Sequence, residues 1–219
     1  MINERSKLFN FLKGMAEASA DAVFPVKAEE ERVCVKIPFP DDYPEYEKGF
    51  NSHARNNLHR AYKKVRSNEL DMSLQVIKGP FTDKALLSDA MKIYTKRESE
   101  RKNRRIDFIP YIKHRYFSAL LWAMETLASH YTFCFFLNNK LVAFMTGFVT
   151  NYNEIVFPYL AIDSTFASYA PGKLMIAESI KYLQEHSAIR VLDLSRGDEK
   201  YKFEMGGIRH YNYRFEIQL

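Results

Sequence analysis

Three consecutive β-rich segments in the middle of the chain constrain its fold most. They cover residues 131–137, 141–149 and 155–162 and are rich in aromatic and β-branched side chains. The turns between them, residues 138–140 and 151–154, are short. Because short turns join antiparallel neighbours, the sequence predicts a meander of three antiparallel strands. None of these runs reaches the ~20 apolar residues of a membrane helix, so we expect no membrane insertion.

Helical and strand periodicities surround this meander. Upstream, the sequence predicts a half-buried strand over residues 32–38, a loop rich in Pro, Asp and Tyr, an amphipathic helix over 51–66, a strand around 74–78, a helix from a Thr82 cap to about Lys102, and a second helix from Pro110 to about Leu127. Downstream, it predicts a helix over 171–185, a strand over 188–194, a short polar segment and a last strand over 211–219. This order is typical of an α/β fold with a mixed sheet, of the α+β kind.

Pro158 lies inside the third strand of the meander. Proline has no backbone N–H and cannot donate to the ladder, so it is confined to bulges and edge strands. The sequence therefore predicts that the sheet is interrupted or open at Pro158.

The chain carries the features of a cytoplasmic protein. Its first residues mix apolar and charged side chains and lack the continuous apolar core of a secretory signal. Cys34 and Cys134 both lie in apolar, strand-like runs, where a buried free thiol is the usual state. We therefore expect a cytoplasmic location and two free thiols.

Positive charge is concentrated in one part of the chain. The formal net charge is +5, and residues 51–115 contain 16 basic and 7 acidic residues. The two densest runs are Arg55, Arg60, Lys63, Lys64 and Arg66, followed by Lys96, Arg97, Arg101, Lys102, Arg104 and Arg105. Such runs bind nucleic acid, phosphate or an acidic surface, or form a solvated helix face, and charge alone leaves these alternatives open.

Two regions resemble a known family. The segments Ala-Ile-Asp at 161–163, Tyr-Ala-Pro-Gly-Lys-Leu at 169–174 and Leu-Asp-Leu-Ser-Arg-Gly-Asp-Glu-Lys-Tyr-Lys at 192–202 resemble GNAT acyltransferases of the cellulose-biosynthesis-like branch, which is related to the Fem aminoacyltransferases of peptidoglycan synthesis. The segment Arg-Asn-Asn-Leu-His-Arg at 55–60 is similar to the same branch's Arg-Asn-Leu-Arg-Arg motif. The resemblance implies a GNAT-like catalytic domain over 71–219, after an N-terminal extension over 1–70 that is the remnant of a first GNAT-like half.

The helix start at Pro171 is a candidate phosphate-binding site. The first backbone N–H groups of a helix point outward and its dipole adds partial positive charge there. The resemblance implies that coenzyme A places its pyrophosphate at Tyr169, Pro171, Gly172 and Lys173, and its pantetheine arm along Leu160, Ala161 and Ile162. The family's usual Arg or Gln and Gly are replaced by Ala167 and Ala170. The Fem relatives use the same fold on aminoacyl-tRNA.

The candidate catalytic residues lie around the last buried strand. Asp193 ends that strand and is a candidate base for the amine, and Tyr201 is a candidate acid for the leaving thiolate. A salt bridge from Asp193 to Arg196 or Lys202, and core packing of Tyr201, are the structural alternatives. We expect the acceptor to contact Arg196, Lys202, Arg55 and Arg60. The six histidines show no metal-ligand spacing, so we expect no metal cofactor. The sequence also contains no motif for covalent catalysis.

The sequence thus leads to a primary and an alternative hypothesis. The first is an N-acyltransferase that moves an acyl group, expected to be acetyl, directly from a CoA thioester to a small-molecule or cell-envelope amine. The alternative is a Fem-like transferase that uses aminoacyl-tRNA, or an RNA-binding module without catalysis. Phosphate contacts with RNA weaken steeply with salt, which distinguishes the two.

Overall fold

One mixed β-sheet organises the part of the chain that the computed structural model describes, which is residues 2–3, 7–17, 26–79, 82–102, 129–150 and 153–217. The strands are β1 (Ile2–Asn3), β2 (Val26–Pro38), β3 (Met72–Lys78), β4 (His130–Leu137), β5 (Lys140–Val149), β6 (Glu154–Ile162), β7 (Val191–Arg196) and β8 (Ile208–Ile217). The helices are α1 (Lys7–Glu17), α2 (Tyr43–Lys48), α3 (Ser52–Ser67), α4 (Lys84–Lys102), a 3₁₀ helix (Ser164–Tyr169), α5 (Pro171–His186) and α6 (Lys200–Glu204). The predicted helix from Pro110 to about Leu127 lies outside the described residues.

The strands follow the order β1-β8-β2-β7-β6-β5-β4-β3. All neighbours are antiparallel except β6 and β7, which are parallel. The predicted meander is confirmed as β4, β5 and β6. The mixed α/β fold class is confirmed as well, because helices α3 and α5 connect or cover these strands.

The interruption predicted at Pro158 is present as a bulge in β6. Thr146 pairs with Tyr159 and Phe148 with Val156, so Gly147 alone faces the two residues Phe157 and Pro158. A Cβ on Gly147 would lie 2.0 Å from the carbonyl oxygen of Val156, and only glycine fits there.

β6 separates from β7 immediately after this point. Their parallel pairing covers Glu154 to Val156 on β6 and Val191 to Asp193 on β7. From the bulge onward the two strands diverge, because Pro158 bends β6 and donates no hydrogen bond. The sheet therefore opens between its two central strands.

The two faces of the sheet carry separate apolar cores. Side chains of α2, α3 and α5 pack with Phe133, Phe135 and Phe157 on one face. Helix α4 packs its Leu86, Ala90, Met91 and Ile93 against Cys134, Phe144 and Ala161 on the other. The alternation of neighbouring strand residues between the faces follows from the two-residue period of a strand.

Helix boundaries follow from local capping. Asn51 caps α3 by accepting a hydrogen bond from the Ala54 N–H at 2.8 Å. Helix α4 is capped by Asp83 and not by the predicted Thr82, because the Asp83 carboxylate accepts from two backbone N–H groups at 3.0 Å each. Part of the predicted loop after residue 38 forms α2, whose start combines an Asp42 cap with a proline in the first turn.

The N-terminal segment contributes to the same sheet. Strand β2 lies between β7 and β8 and pairs with both, and α3 packs in the core beneath α5. The division of the chain at residue 70 stays a prediction. Cys34 and Cys134 are buried free thiols, as expected. Within the described residues, no helix combines the length and apolarity needed to cross a membrane.

Candidate active site

The opening between β6 and β7 forms a cleft of about 530 Å³, which we call the splay cleft. Its lining residues are Cys34, Tyr94, Arg97, Phe157, Pro158, Tyr159, Leu160, Leu194, Ser195, Arg196, Glu199, Tyr201, Lys202 and Asn212. They come from β2, β6, β7, β8, α4 and the segment around α6. Leu160, Arg196, Tyr201 and Lys202 are the predicted site residues that line the splay cleft.

Helix α4 covers the β6 side of the splay cleft. The Arg97 guanidinium donates a hydrogen bond to the carbonyl oxygen of Leu160 on β6. Tyr94, one helical turn earlier, packs edge to face on Tyr159 with ring centroids 5.7 Å apart. The carbonyl oxygen of Leu160 therefore faces the cleft, where it accepts the hydrogen bond from Arg97.

The β7 side is shaped by a strained turn. Ser195 has a φ of 53° and Gly197 a φ of 96°. The Asp193 carboxylate accepts a hydrogen bond from the Ser195 N–H at 2.7 Å and holds Ser195 in this left-handed conformation. The chain turns sharply here and brings Glu199 and Tyr201 over the cleft.

Lys202 fixes this turn from beneath. Its side chain is 3% exposed, and its ammonium donates to the carbonyl oxygens of Leu194, Arg196 and Gly197 at 3.1, 2.8 and 3.0 Å. The ammonium also forms an ion pair with Glu199 at 3.0 Å. Its donors are thus engaged by the protein, which leaves little capacity for the acceptor contact predicted for Lys202.

Glu199 and Tyr201 carry opposite chemical capacities in the splay cleft. Burial acts to raise the pKa of Glu199, but the Lys202 hydrogen bond and charge lower it overall, so the carboxylate is ionised at neutral pH. Burial, and secondly the nearby Glu199 charge, raise the pKa of the Tyr201 phenol, which stays protonated. One group can accept a proton and the other can donate one.

Asp193 does not line the splay cleft. It is 4% exposed, and its Oδ2 lies 3.1 Å from His210 Nε2 on β8, which is 1% exposed. The predicted salt-bridge partners Arg196 and Lys202 are therefore replaced by His210, a residue that the sequence analysis did not single out. Cys34 lies on β2, the strand between those that carry Asp193 and His210. Its thiol accepts a hydrogen bond from Asn212 at 3.2 Å. Burial and then the Asp193 charge raise the pKa of this thiol.

At the start of α5, the residues predicted to bind phosphate make contacts within the protein. Ala170 supplies the tight turn with φ 50° and ψ 49° before Pro171. A Cβ on Gly172 would lie 2.6 Å from Cδ1 of Ile162, so this glycine permits close packing of helix on strand. Lys173 is ion-paired with Glu204. The Tyr169 ring, one turn upstream, stacks under the Lys64 ammonium at 4.9 Å.

The other predicted residues lie away from the cleft lining. Ala161 packs in the core beneath α4. The Arg55 guanidinium donates to the carbonyl oxygens of Glu47, Lys48 and Phe50 and ties α2 to α3. Arg60 is exposed on α3 beside Lys63 and Arg66. The roles predicted for these residues stay predictions. Arg104 and Arg105 lie outside the described residues.

Sequence reasoning did not assign a site role to several cleft residues. Glu199 stood inside the motif at 192–202, and Arg97 stood inside a basic run, so both carried a local signal. Cys34 and Asn212 are brought together by the pairing of β2 with β8, which no local pattern shows. Across the described ranges, no group of three or more His, Cys, Asp and Glu side chains is arranged to hold a metal ion.

Solved structures share this fold. A conserved protein of unknown function from Bacteroides thetaiotaomicron has 11% identity and a TM-score of 0.56, over 91% of this chain and 64% of that one. The C-terminal domain of a putative lysylphosphatidylglycerol synthetase from Agrobacterium fabrum has 11% identity and a TM-score of 0.54, over 94% and 65%. FemX has 13% identity and a TM-score of 0.51, over 88% and 61%. The chain thus spans less than two thirds of the length of each of these structures.

Sequence comparison gives the family. No curated protein sequence matches the chain. The sequence profile described as an acetyltransferase (GNAT) domain matches residues 52–203, from α3 to α6, which is more than half of the chain. The chain therefore belongs to the GNAT acetyltransferase family, as its sequence motifs suggested.

Proposed function

We propose that this protein transfers an acyl group, expected to be acetyl, from a CoA thioester to an amine inside the splay cleft. The observation that carries the proposal is the separation of β6 from β7 beside Glu199 and Tyr201. A separated strand offers backbone groups to an extended ligand, which a fully paired strand does not. Membership of the GNAT family supports acyl transfer as the reaction type.

Two parts of the site suit the donor. The edge of β6 at Leu160 would align the pantetheine arm, once Arg97 releases its carbonyl. Beside the start of α5, Lys64 reaches the Ser168 carbonyl at 3.1 Å and places an exposed cation near the helix N-terminus. Lys173 contributes less than the sequence suggests, because Glu204 already pairs with it.

The chemistry follows from the cleft residues. The amine nitrogen attacks the thioester carbonyl carbon, so a C–N bond forms and the C–S bond breaks. We assign Glu199 as the base that takes the proton from the amine, in place of the predicted Asp193, because Glu199 lines the cleft and is ionised. Tyr201 is the acid that protonates the leaving thiolate.

Steady-state acyl transfer from acetyl-CoA tests this assignment. Glu199→Gln and Tyr201→Phe should each lower kcat about 10²- to 10⁴-fold while donor affinity, measured by calorimetry, stays within a few-fold of wild type. Asp198→Asn, an exposed carboxylate next in sequence, is the matched control and should retain activity. Full activity of both cleft variants would refute the assignment.

The exposed basic face of α3 favours a second candidate, an aminoacyl-tRNA donor. Arg60, Lys63, Lys64 and Arg66 lie on this face, and Lys64 approaches the start of α5. Binding of tRNA through several such cations should weaken steeply between low and physiological salt, whereas binding of CoA in the cleft should change far less. Measuring both affinities across a salt series separates the two donors.

A further inference from the structure

We propose that Arg97 and Glu199 face each other across the splay cleft to recognise a zwitterionic acceptor, an amine that also carries a carboxylate, such as an amino acid. The proposal rests on the proposed function for the transfer itself and adds the substrate class. In it, Glu199 receives the amino group and Arg97 the carboxylate.

Arg97 is placed to bind an anion. It is half-buried on α4, and its guanidinium donates a hydrogen bond to the carbonyl oxygen of Leu160. A guanidinium has five N–H donors in a planar fork that matches a carboxylate, so most of its capacity is open to a ligand within the described part of the chain. Its backbone position is fixed, because Tyr94 packs on Tyr159 one turn away.

Glu199 provides the complementary charge. Arg97, Glu199 and Tyr201 all line the splay cleft. The positive charge of Arg97 helps to lower the pKa of Glu199 and opposes the rise in the pKa of Tyr201. Among the described residues, however, no ion pair joins Arg97 to Glu199; the partner of Glu199 is Lys202. A ligand with a positive group for Glu199 and a negative group for Arg97 complements these two separated charges.

The donor's phosphates have a different location. The start of α5 and its neighbour Lys64 belong to one face of the sheet, where α3 and α5 pack. Arg97 belongs to α4, which packs on the opposite face. The anion bound by Arg97 therefore belongs to the acceptor and not to the pyrophosphate of the donor.

Matched acceptor pairs test the proposal. With acetyl-CoA as donor, we would measure kcat/KM for free amino acids, from glycine to lysine and aminocaproate, and for the carboxamide of each one. Binding of every probe would be measured in parallel by calorimetry. The wild type should prefer the carboxylate member of its best pair, and Arg97→Gln should lower kcat/KM for that member about 10- to 100-fold with little change for the carboxamide. Lys92→Gln removes a positive charge from an exposed position on the same helix and should leave both values unchanged.

Failure of the zwitterion proposal can be distinguished from failure of the proposed acyl transfer. Equal use of carboxylate and carboxamide by the wild type, an equal loss for both in Arg97→Gln, or binding of no amino acid would overturn the zwitterion proposal. If the zwitterion proposal fails but the wild type and Arg97→Gln acetylate carboxamides at the same rate, the acyltransferase activity is still upheld. Arg97→Lys should restore only part of the preference, because an ammonium keeps the charge but lacks the planar fork.

Discussion

Replacing Lys202 by methionine should destabilise the protein strongly. Methionine fills a similar volume but leaves the carbonyl oxygens of Leu194, Arg196 and Gly197 without their donor in a buried position. Each hydrogen bond from a charged group contributes about 1.5–3 kcal/mol, and these contributions are not additive. Removing one partner of a buried ionic cluster costs about 3–5 kcal/mol, which we take as the expected loss in the free energy of unfolding.

Thermal and urea denaturation measure this loss directly. For a chain of this size, about 3–5 kcal/mol corresponds to a fall in Tm of roughly 6–20 °C. Lys200→Met is the matched control: its side chain is 84% exposed and only reaches Glu204 at 3.8 Å, so the change should stay within about 0.5 kcal/mol. A Lys202→Met protein within about 1 kcal/mol of wild type would refute the idea that this lysine holds the turn that carries Glu199 and Tyr201.

Two carboxylates outside the splay cleft give further predictions. Asp193→Asn should lower the free energy of unfolding by about 1–3 kcal/mol, because it removes the charge beside His210. The same variant should change kcat only a few-fold. A large fall in kcat at unchanged stability would instead indicate that Asp193 is the base. Burial of Asp163 acts to raise its pKa, but hydrogen bonds from Lys96 and Thr165 lower it to about 2. Since the folded pKa lies below the unfolded value, this carboxylate contributes stability above about pH 4 and loses it as the pH falls towards 2. The difference in urea stability between wild type and Asp163→Asn should therefore shrink over that range, and a difference that stays constant would contradict the shift.

The strands and helices were largely predictable from periodicity. The meander followed from short turns between β-rich runs, and the bulge followed from Pro158, because both depend on local backbone chemistry. Helix α2 was not predicted, since Asp42 and Pro44 favour a turn as readily as a helix start. Its stability comes from packing of Tyr46 and Phe50 in the core, which is a tertiary effect.

The candidate site was predictable only in part. Tyr201 lies in a recognisable motif and lines the splay cleft, and its catalytic role stays a prediction. The partner of Asp193 could not be predicted, because His210 reaches it across β2, which comes from the other end of the chain. Gly172 packs on Ile162, and its predicted contact with the donor stays a prediction. Sequence does not distinguish a glycine needed for a ligand from one needed for a neighbouring side chain.

Hydrogen exchange with and without acetyl-CoA tests the central claim, that the splay cleft receives the acyl donor. We expect acetyl-CoA to slow exchange of backbone amides over residues 157–162 on β6 and over 170–174 at the start of α5, with little change in β3 at the far edge of the sheet. Protection should disappear when adenosine is used as the ligand, because it lacks both the pantetheine arm and the pyrophosphate. Unchanged exchange over both segments at saturating acetyl-CoA, or protection confined to another part of the chain, would contradict the claim.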